Sequence, residues 1–143
     1  MAIGEILGLH HVKLPVADLA RSRAWYERVF ELEPNIEFPD AAGVVRGVSY
    51  RAKRGLTLAL RENPALAEAM IGFDPIAILV EGRQDIDAWA QRLDDLGIDH
   101  APVCAGGLGW LLSFDDPDSL QLKLYTNELH GLPMGHGVPI KPT

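Results

Sequence analysis

The feature that most constrains this chain is an internal repeat. When position 75 onward is laid on position 11 onward, at a constant offset of 64 and without a gap, the two halves agree in kind along most of their length. Val12, Leu14 and Val16 fall on Ile76, Ile78 and Val80; Trp25, Arg28 and Val29 fall on Trp89, Arg92 and Leu93; Leu56, Leu58 and Leu60 fall on Leu120, Leu122 and Leu124. Tryptophans, arginines and alternating leucines held in one register point to a duplicated module, so the fold of one half should recur in the other.

Each copy reads alike. His11 to Val16 alternates apolar with polar residues, the period of a half-buried strand, and Asp18 offers a side-chain oxygen to cap a following helix. That helix is expected over Leu19–Val29, with Trp25, Val29 and the following Leu32 laid on a sheet. Three strands follow near Pro34–Phe38, Val44–Arg51 and Leu56–Arg61, the last two joined by a turn at Lys53-Arg54-Gly55. The second copy predicts a strand over Ile76–Glu81, a helix over Gln84–Leu96 ended by Gly97, and strands near His100–Val103, Trp110–Phe114 and Leu120–Tyr125. Trp25 and Trp89 are expected in the core. The fold class is α+β, two tandem βαβββ modules within a single domain over 1–143: module one about 7–61, a partly helical linker over 62–74, module two about 75–125, and a Gly/Pro-rich extended arm over 126–143.

Charge and composition narrow the partners. The 143 residues carry 13 basic against 20 acidic side chains, a net charge of -7, which leaves no basic stripe for a nucleic acid. No apolar run approaches the roughly 20 residues of a membrane span, and the lone Cys104 cannot staple the chain to itself. A cytoplasmic protein with a small-molecule partner is the expectation.

The stretch His11-Val-Lys-Leu-Pro-Val-Ala-Asp-Leu-Ala-Arg-Ser-Arg-Ala-Trp-Tyr-Glu-Arg-Val-Phe and the turn Asp116-Pro117-Asp118-Ser119 with the strand Leu120-Gln121-Leu122-Lys123-Leu124 resemble the opening and closing segments of the vicinal-oxygen-chelate superfamily, the glyoxalase, bleomycin-resistance and ring-cleaving dioxygenase relatives. The resemblance covers about Leu7 to Tyr125. It implies that the two modules form a cupped, open mixed β-barrel with the helices outside, and that the protein pairs as a homodimer. Ser119 stands where that turn usually has glycine.

The same resemblance implies a divalent metal held on four strands, at positions matching His11, Ala59, Pro75 and Lys123. Alanine and proline bring no donor atom, and an ammonium repels a cation, so one ligand of four survives and no metal cofactor is expected. The alternative, a divalent ion on His11, would have to recruit His10, His100, His130 or His136, none at a matching position.

Period-two alternation places Lys13 with His11, Thr57 and Arg61 with Ala59, and Gln121 and Tyr125 with Lys123, on the face that would line the cup. The expected ligand-binding residues are therefore His11, Lys13, Thr57, Arg61, Gln121, Lys123 and Tyr125, with Trp110 stacking on a ring or capping the cavity. A cationic lining suggests an anionic or aromatic ligand. Two functions follow from different classes. One is metal-independent small-molecule binding of the resistance-protein kind. The other is a lyase, isomerase or dioxygenase of the superfamily, metal-free with Lys123 and His11 as catalytic acid and base, or metal-dependent with atypical ligands.

Overall fold

The computed structural model describes residues 3–134, 137–138 and 140–142; His136 lies outside them. The chain forms two compact units, Met1–Ala69 and Met70–Thr143. The first contains β1 (Val12–Val16), α1 (Leu19–Phe30), β2 (Pro34–Pro39), β3 (Val45–Tyr50), β4 (Leu58–Glu62) and α2 (Pro64–Ala69), the short helix expected after the first module. The second contains β5 (Ala77–Val80), α3 (Arg83–Asp95), β6 (Cys104–Ala105), β7 (Gly109–Asp115) and β8 (Gln121–Leu129). Each unit is thus a βαβββ module with one four-stranded sheet, ordered β1-β4-β3-β2 in the first and β5-β8-β7-β6 in the second. No helix among the described residues is long and apolar enough to cross a membrane.

The duplication holds at the level of hydrogen-bond register. In the first sheet Lys13 pairs with Ala59 across a parallel ladder and Ser49 pairs with Ala59 across an antiparallel one. In the second, Ala77 pairs with Lys123 in parallel and Ser113 pairs with Lys123 antiparallel. Every one of these positions is displaced by 64. The parallel pairs β1–β4 and β5–β8 require a crossover, which α1 and α3 begin.

Both helices start at equivalent places. Asp18 caps α1 by accepting the Arg21 N–H at 3.0 Å, and Gly82, its counterpart, precedes α3, where Asp85 accepts the Gly82 N–H at 3.0 Å. The first helical N–H of each is taken by a carboxylate from its own sheet: Leu19 N–H by Glu62 at 2.9 Å and Arg83 N–H by Glu128 at 2.7 Å. Negative charge at a helix N-terminus is favourable both as an acceptor and against the helix dipole.

Leu14, Leu58, Leu60, Leu120, Leu122 and Leu124 are buried, as alternation requires of the helix-facing side, and Ile86 and Leu93 of α3 are buried with them in kind. The tryptophans depart from expectation. The inward face of α1 is Leu19, Ser22, Tyr26, Val29 and Phe30, and Trp25 and Trp89 are only half-buried. Trp25 flanks that face and packs edge-on against Tyr26 at 4.9 Å between ring centroids, because a spacing of three and four residues selects Tyr26, one position along, for the seam. The second strand of the second module also moves: His100 makes only an isolated bridge to Phe114, Pro102 has no N–H to donate, and the ladder resumes at Cys104–Ala105. The last strand continues four residues past Tyr125, to Leu129, so the arm begins later than its composition suggested.

Ser119 adopts φ 62, and its repeat counterpart Gly55 adopts φ 85. A side chain in this left-handed region costs on the order of 1 kcal/mol, which glycine avoids. Ser119→Gly should therefore raise unfolding stability by about 0.5–1 kcal/mol, read as a higher urea midpoint with an unchanged slope.

Candidate ligand site

The open face of the first sheet is built from rungs that run across all four strands. One rung is Lys13, Ala59, Ser49, Ile36; the next is Pro15, Arg61, Gly47, Phe38. His11 and Thr57 immediately precede β1 and β4, where the Val12 N–H donates to the Thr57 carbonyl at 2.9 Å. This face lines a pocket of about 430 Å³ that includes His10, His11, Lys13, Thr57, Ala59 and Arg61 at one side and Ile36 and Phe38 at the other. Four of the residues expected from alternation, His11, Lys13, Thr57 and Arg61, are brought together here.

Several other cations of the first unit are paired with carboxylates. Arg46 bridges Asp40 and Glu62, Arg51 meets Glu33 at 3.0 Å, and Arg23 meets Glu27 at 3.1 Å. Lys13 and Arg61 have no carboxylate partner among the described residues. His11 and His10 place their Nδ1 atoms 2.9 Å apart, so one ring donates and the other accepts.

The other expected residues sit in the second unit, each on the predicted strand. Lys123 donates to Asp74 Oδ2 at 2.5 Å. The hydrogen bond from Lys123, and then its charge, hold the Asp74 carboxyl below the usual carboxylate range. Asp74 stands at the repeat position of His10, the one signal that could have pointed to it. Gln121 lines a separate pocket of about 470 Å³ with Asp99, His100, Ser113 and Asp115.

Tyr125 is committed to its own unit: its hydroxyl accepts the N–H groups of Leu108 at 2.8 Å and Gly109 at 3.2 Å. A Cβ on Gly106 would lie 2.7 Å from that ring and one on Gly109 2.4 Å from the Thr126 carbonyl, so this loop closes only with glycine there. Trp110 lies under the Arg83 guanidinium at 4.3 Å and edge-on to His130 at 5.8 Å. Sequence reasoning missed Gly47, Ile36 and Phe38, although Ile36 and Phe38 already stood two apart on the predicted strand.

The positions that would carry a divalent ion do not fit one. Ala59 is a buried methyl, Pro75 has no donor, and the Lys123 ammonium is occupied by Asp74. Among the described residues no group of three or more His, Cys, Asp or Glu side chains is arranged to hold a metal ion.

A model of the Glyoxalase/Bleomycin resistance protein/Dioxygenase superfamily matches residues 8–124. The chain belongs to that superfamily. Within the superfamily it is 28% identical, over 90% of its own length and 81% of the relative's, to a protein named metallothiol transferase FosB from Bacillus licheniformis. It is 25% identical to a putative ring-cleaving dioxygenase, MhqA, from Bacillus subtilis, of which it spans 45%. Among solved structures, a glyoxylase/bleomycin resistance protein/dioxygenase domain from Frankia sp. EAN1pec is similar at a TM-score of 0.70 with 25% identity, covering 87% of this chain and 100% of that one. The fosfomycin resistance protein FosX from Listeria monocytogenes shares the fold at a TM-score of 0.70, with 23% identity over 87% of this chain and 97% of that one. The superfamily fold is thereby shown, with its two βαβββ modules.

His100, in the second pocket, has both ring nitrogens on acceptors: Nδ1 on the Ala101 carbonyl and Nε2 on Asp94, each at 2.8 Å. Only the imidazolium donates to both. The bond to Ala101 first, and then Asp94, raise its pKa above the ordinary histidine value despite partial burial. A raised folded-state pKa stabilises fully below the unfolded value of about 6.5 and is lost as pH rises through the folded one. The stability difference between the native chain and His100→Gln should accordingly be largest below pH 6 and shrink toward pH 8.5, measured by urea unfolding; parallel pH curves would contradict it.

Proposed function

We propose that this superfamily member binds a small organic anion without a resident metal, its acid group held between Lys13 and Arg61, with His11 and Thr57 beside them. The observation that carries this reading is the presence of two cationic side chains in one pocket with no carboxylate among the described residues to neutralise them. An unpaired cation at the edge of an apolar hollow gains a charge-assisted hydrogen bond when an anion enters, and gives up little solvation to do so.

Binding is favoured over acid–base catalysis by the state of Lys123. The Lys123 Nζ is engaged in donating to Asp74 Oδ2, whereas a lysine that acts as base or nucleophile must direct its nitrogen at the substrate. The relative named a metallothiol transferase makes the metal the decisive variable. The donor set at the matching positions here argues against one.

Isothermal titration of the whole protein with benzoate, acetate and inorganic phosphate tests this reading. We expect saturable benzoate binding that is unchanged by EDTA and by added Mn(II). Lys13→Ala and Arg61→Ala should each weaken it by about tenfold or more, the equivalent of one charge-assisted bond, without lowering the thermal midpoint. Binding abolished by the chelator, or unaltered in both variants, would overturn the reading.

A further inference from the structure

The open face of the first sheet changes character from one edge to the other. Reading across β1, β4, β3 and β2, its side chains are Lys13, then Arg61 and Ala59, then Gly47 and Ser49, then Ile36 and Phe38. Cations occupy one side, the smallest side chains the middle, and two large apolar groups the other. Ile36 and Phe38 remain 50% and 43% exposed, although they face a pocket lined mostly by apolar atoms. With strands about 4.8 Å apart, Arg61 on β4 and Phe38 on β2 stand roughly 10 Å from each other across Gly47.

The duplicated unit serves as an internal control. At the offset of 64, Lys13 becomes Ala77, Arg61 becomes Tyr125 and Gly47 becomes Leu111, while Ser49 stays serine as Ser113. The ladder is the same, with Leu111 paired to Tyr125 as Gly47 is to Arg61. Among the described residues only the first unit therefore combines unpaired cations, a cleared centre and an apolar far side. The clearing is specific: a Cβ on Gly47 would lie 3.2 Å from the Leu60 carbonyl, 3.5 Å from Arg61 Cδ and 3.6 Å from Phe38 Cβ, so any longer side chain would rise into the space between Arg61 and Phe38.

We infer that the ligand is an amphipathic monoanion of about one ring's size, such as an aryl carboxylate, lying across the sheet with its acid at Lys13 and Arg61, its flat body over Gly47, and its apolar end on Ile36 and Phe38. This rests on the anion-binding reading above and names the chemical class that the same pocket selects. Gly47 determines that selectivity by leaving the middle of the sheet without a side chain. The acid alone would satisfy the cations but leave the apolar end wet. A neutral aromatic would cover Phe38 but leave the cations unpaired.

The test is a comparison of benzoate, phenylacetate, acetate, inorganic phosphate and benzyl alcohol on the full chain, by titration calorimetry and thermal shift. Benzoate or phenylacetate should bind at least about tenfold tighter than acetate or phosphate, the gain of half-burying one ring, and benzyl alcohol should bind weakest. Phe38→Ala, a change at an exposed edge-strand position, should erase the preference for benzoate over acetate, read as the ratio of the two affinities falling to about one. Gly47→Leu, which installs the residue of the duplicated unit, should abolish benzoate binding. Its fold is checked by circular dichroism, and Phe38→Ala decides if that variant does not fold. Acetate or phosphate binding as tightly as benzoate, or a preference that survives Phe38→Ala, would sink the amphipathic class while leaving anion binding intact. Affinity for every anion unaffected by both Lys13→Ala and Arg61→Ala would instead sink the parent reading, and this inference with it.

Discussion

The parallel pairing of the first strand of each module with its last, β1 with β4 and β5 with β8, is the constraint on which the rest of the structure depends. Parallel neighbours cannot be joined by a tight turn, so the chain must cross over, and a helix that packs on one sheet face is the economical way to do so. The helix decides which face is buried. The leucines at positions 58, 60, 122 and 124 lie fully beneath it, which pins the register, since a slip of one residue would exchange the buried and open faces along the whole strand. The set of side chains on the open face is fixed by that pinned register. The equality of the two ladders at an offset of 64 is independent support for it.

Much of this was legible in the amino acids, for identifiable reasons. Strand and helix order followed from period-two alternation in the leucine-rich segments and from Asp18 as a cap, both of which depend on near neighbours. The repeat then transferred each assignment from one half to the other. What was misjudged depended on longer-range or competing effects. Trp25 looked like a core residue by size, but the angular position of Tyr26 gave that residue the seam. The strand assigned to His100–Val103 failed because Pro102 interrupts donation and because the His100 ring is held by Asp94 and Ala101.

The candidate site was legible in part, for a related reason. Alternation says which face a side chain occupies, and it gathered His11, Lys13, Thr57 and Arg61 correctly onto one surface. It is silent on what approaches that surface from a loop. The carboxylate of Asp74, two residues before the predicted strand, takes up the Lys123 side chain, and the glycine-rich turn at 106–109 takes up the Tyr125 hydroxyl. Neither partner could be read from the strand that carries the residue it neutralises. Gly47 was overlooked for the opposite reason: its contribution is space, and a missing side chain leaves no mark in a search for chemical groups.

Duplication explains how one scaffold can hold two such different surfaces. The backbone ladder and the buried leucines must agree between halves, because both units solve the same packing problem, but the open faces are free to diverge. In the first half the lysine stands on β1 beside an alanine on β4. In the second the arrangement is reversed, with Ala77 beside Lys123, and the second lysine has acquired a carboxylate while the first has none. Similarity to a metallothiol transferase at 28% identity reports the shared scaffold, since strand register and helix packing dominate what two such sequences must preserve. The chemistry depends on the few positions where donor atoms either stand or do not. Beside His11, those positions hold a methyl, a proline ring and an ammonium paired with Asp74, while Lys13 and Arg61 of the first sheet meet no carboxylate among the described residues.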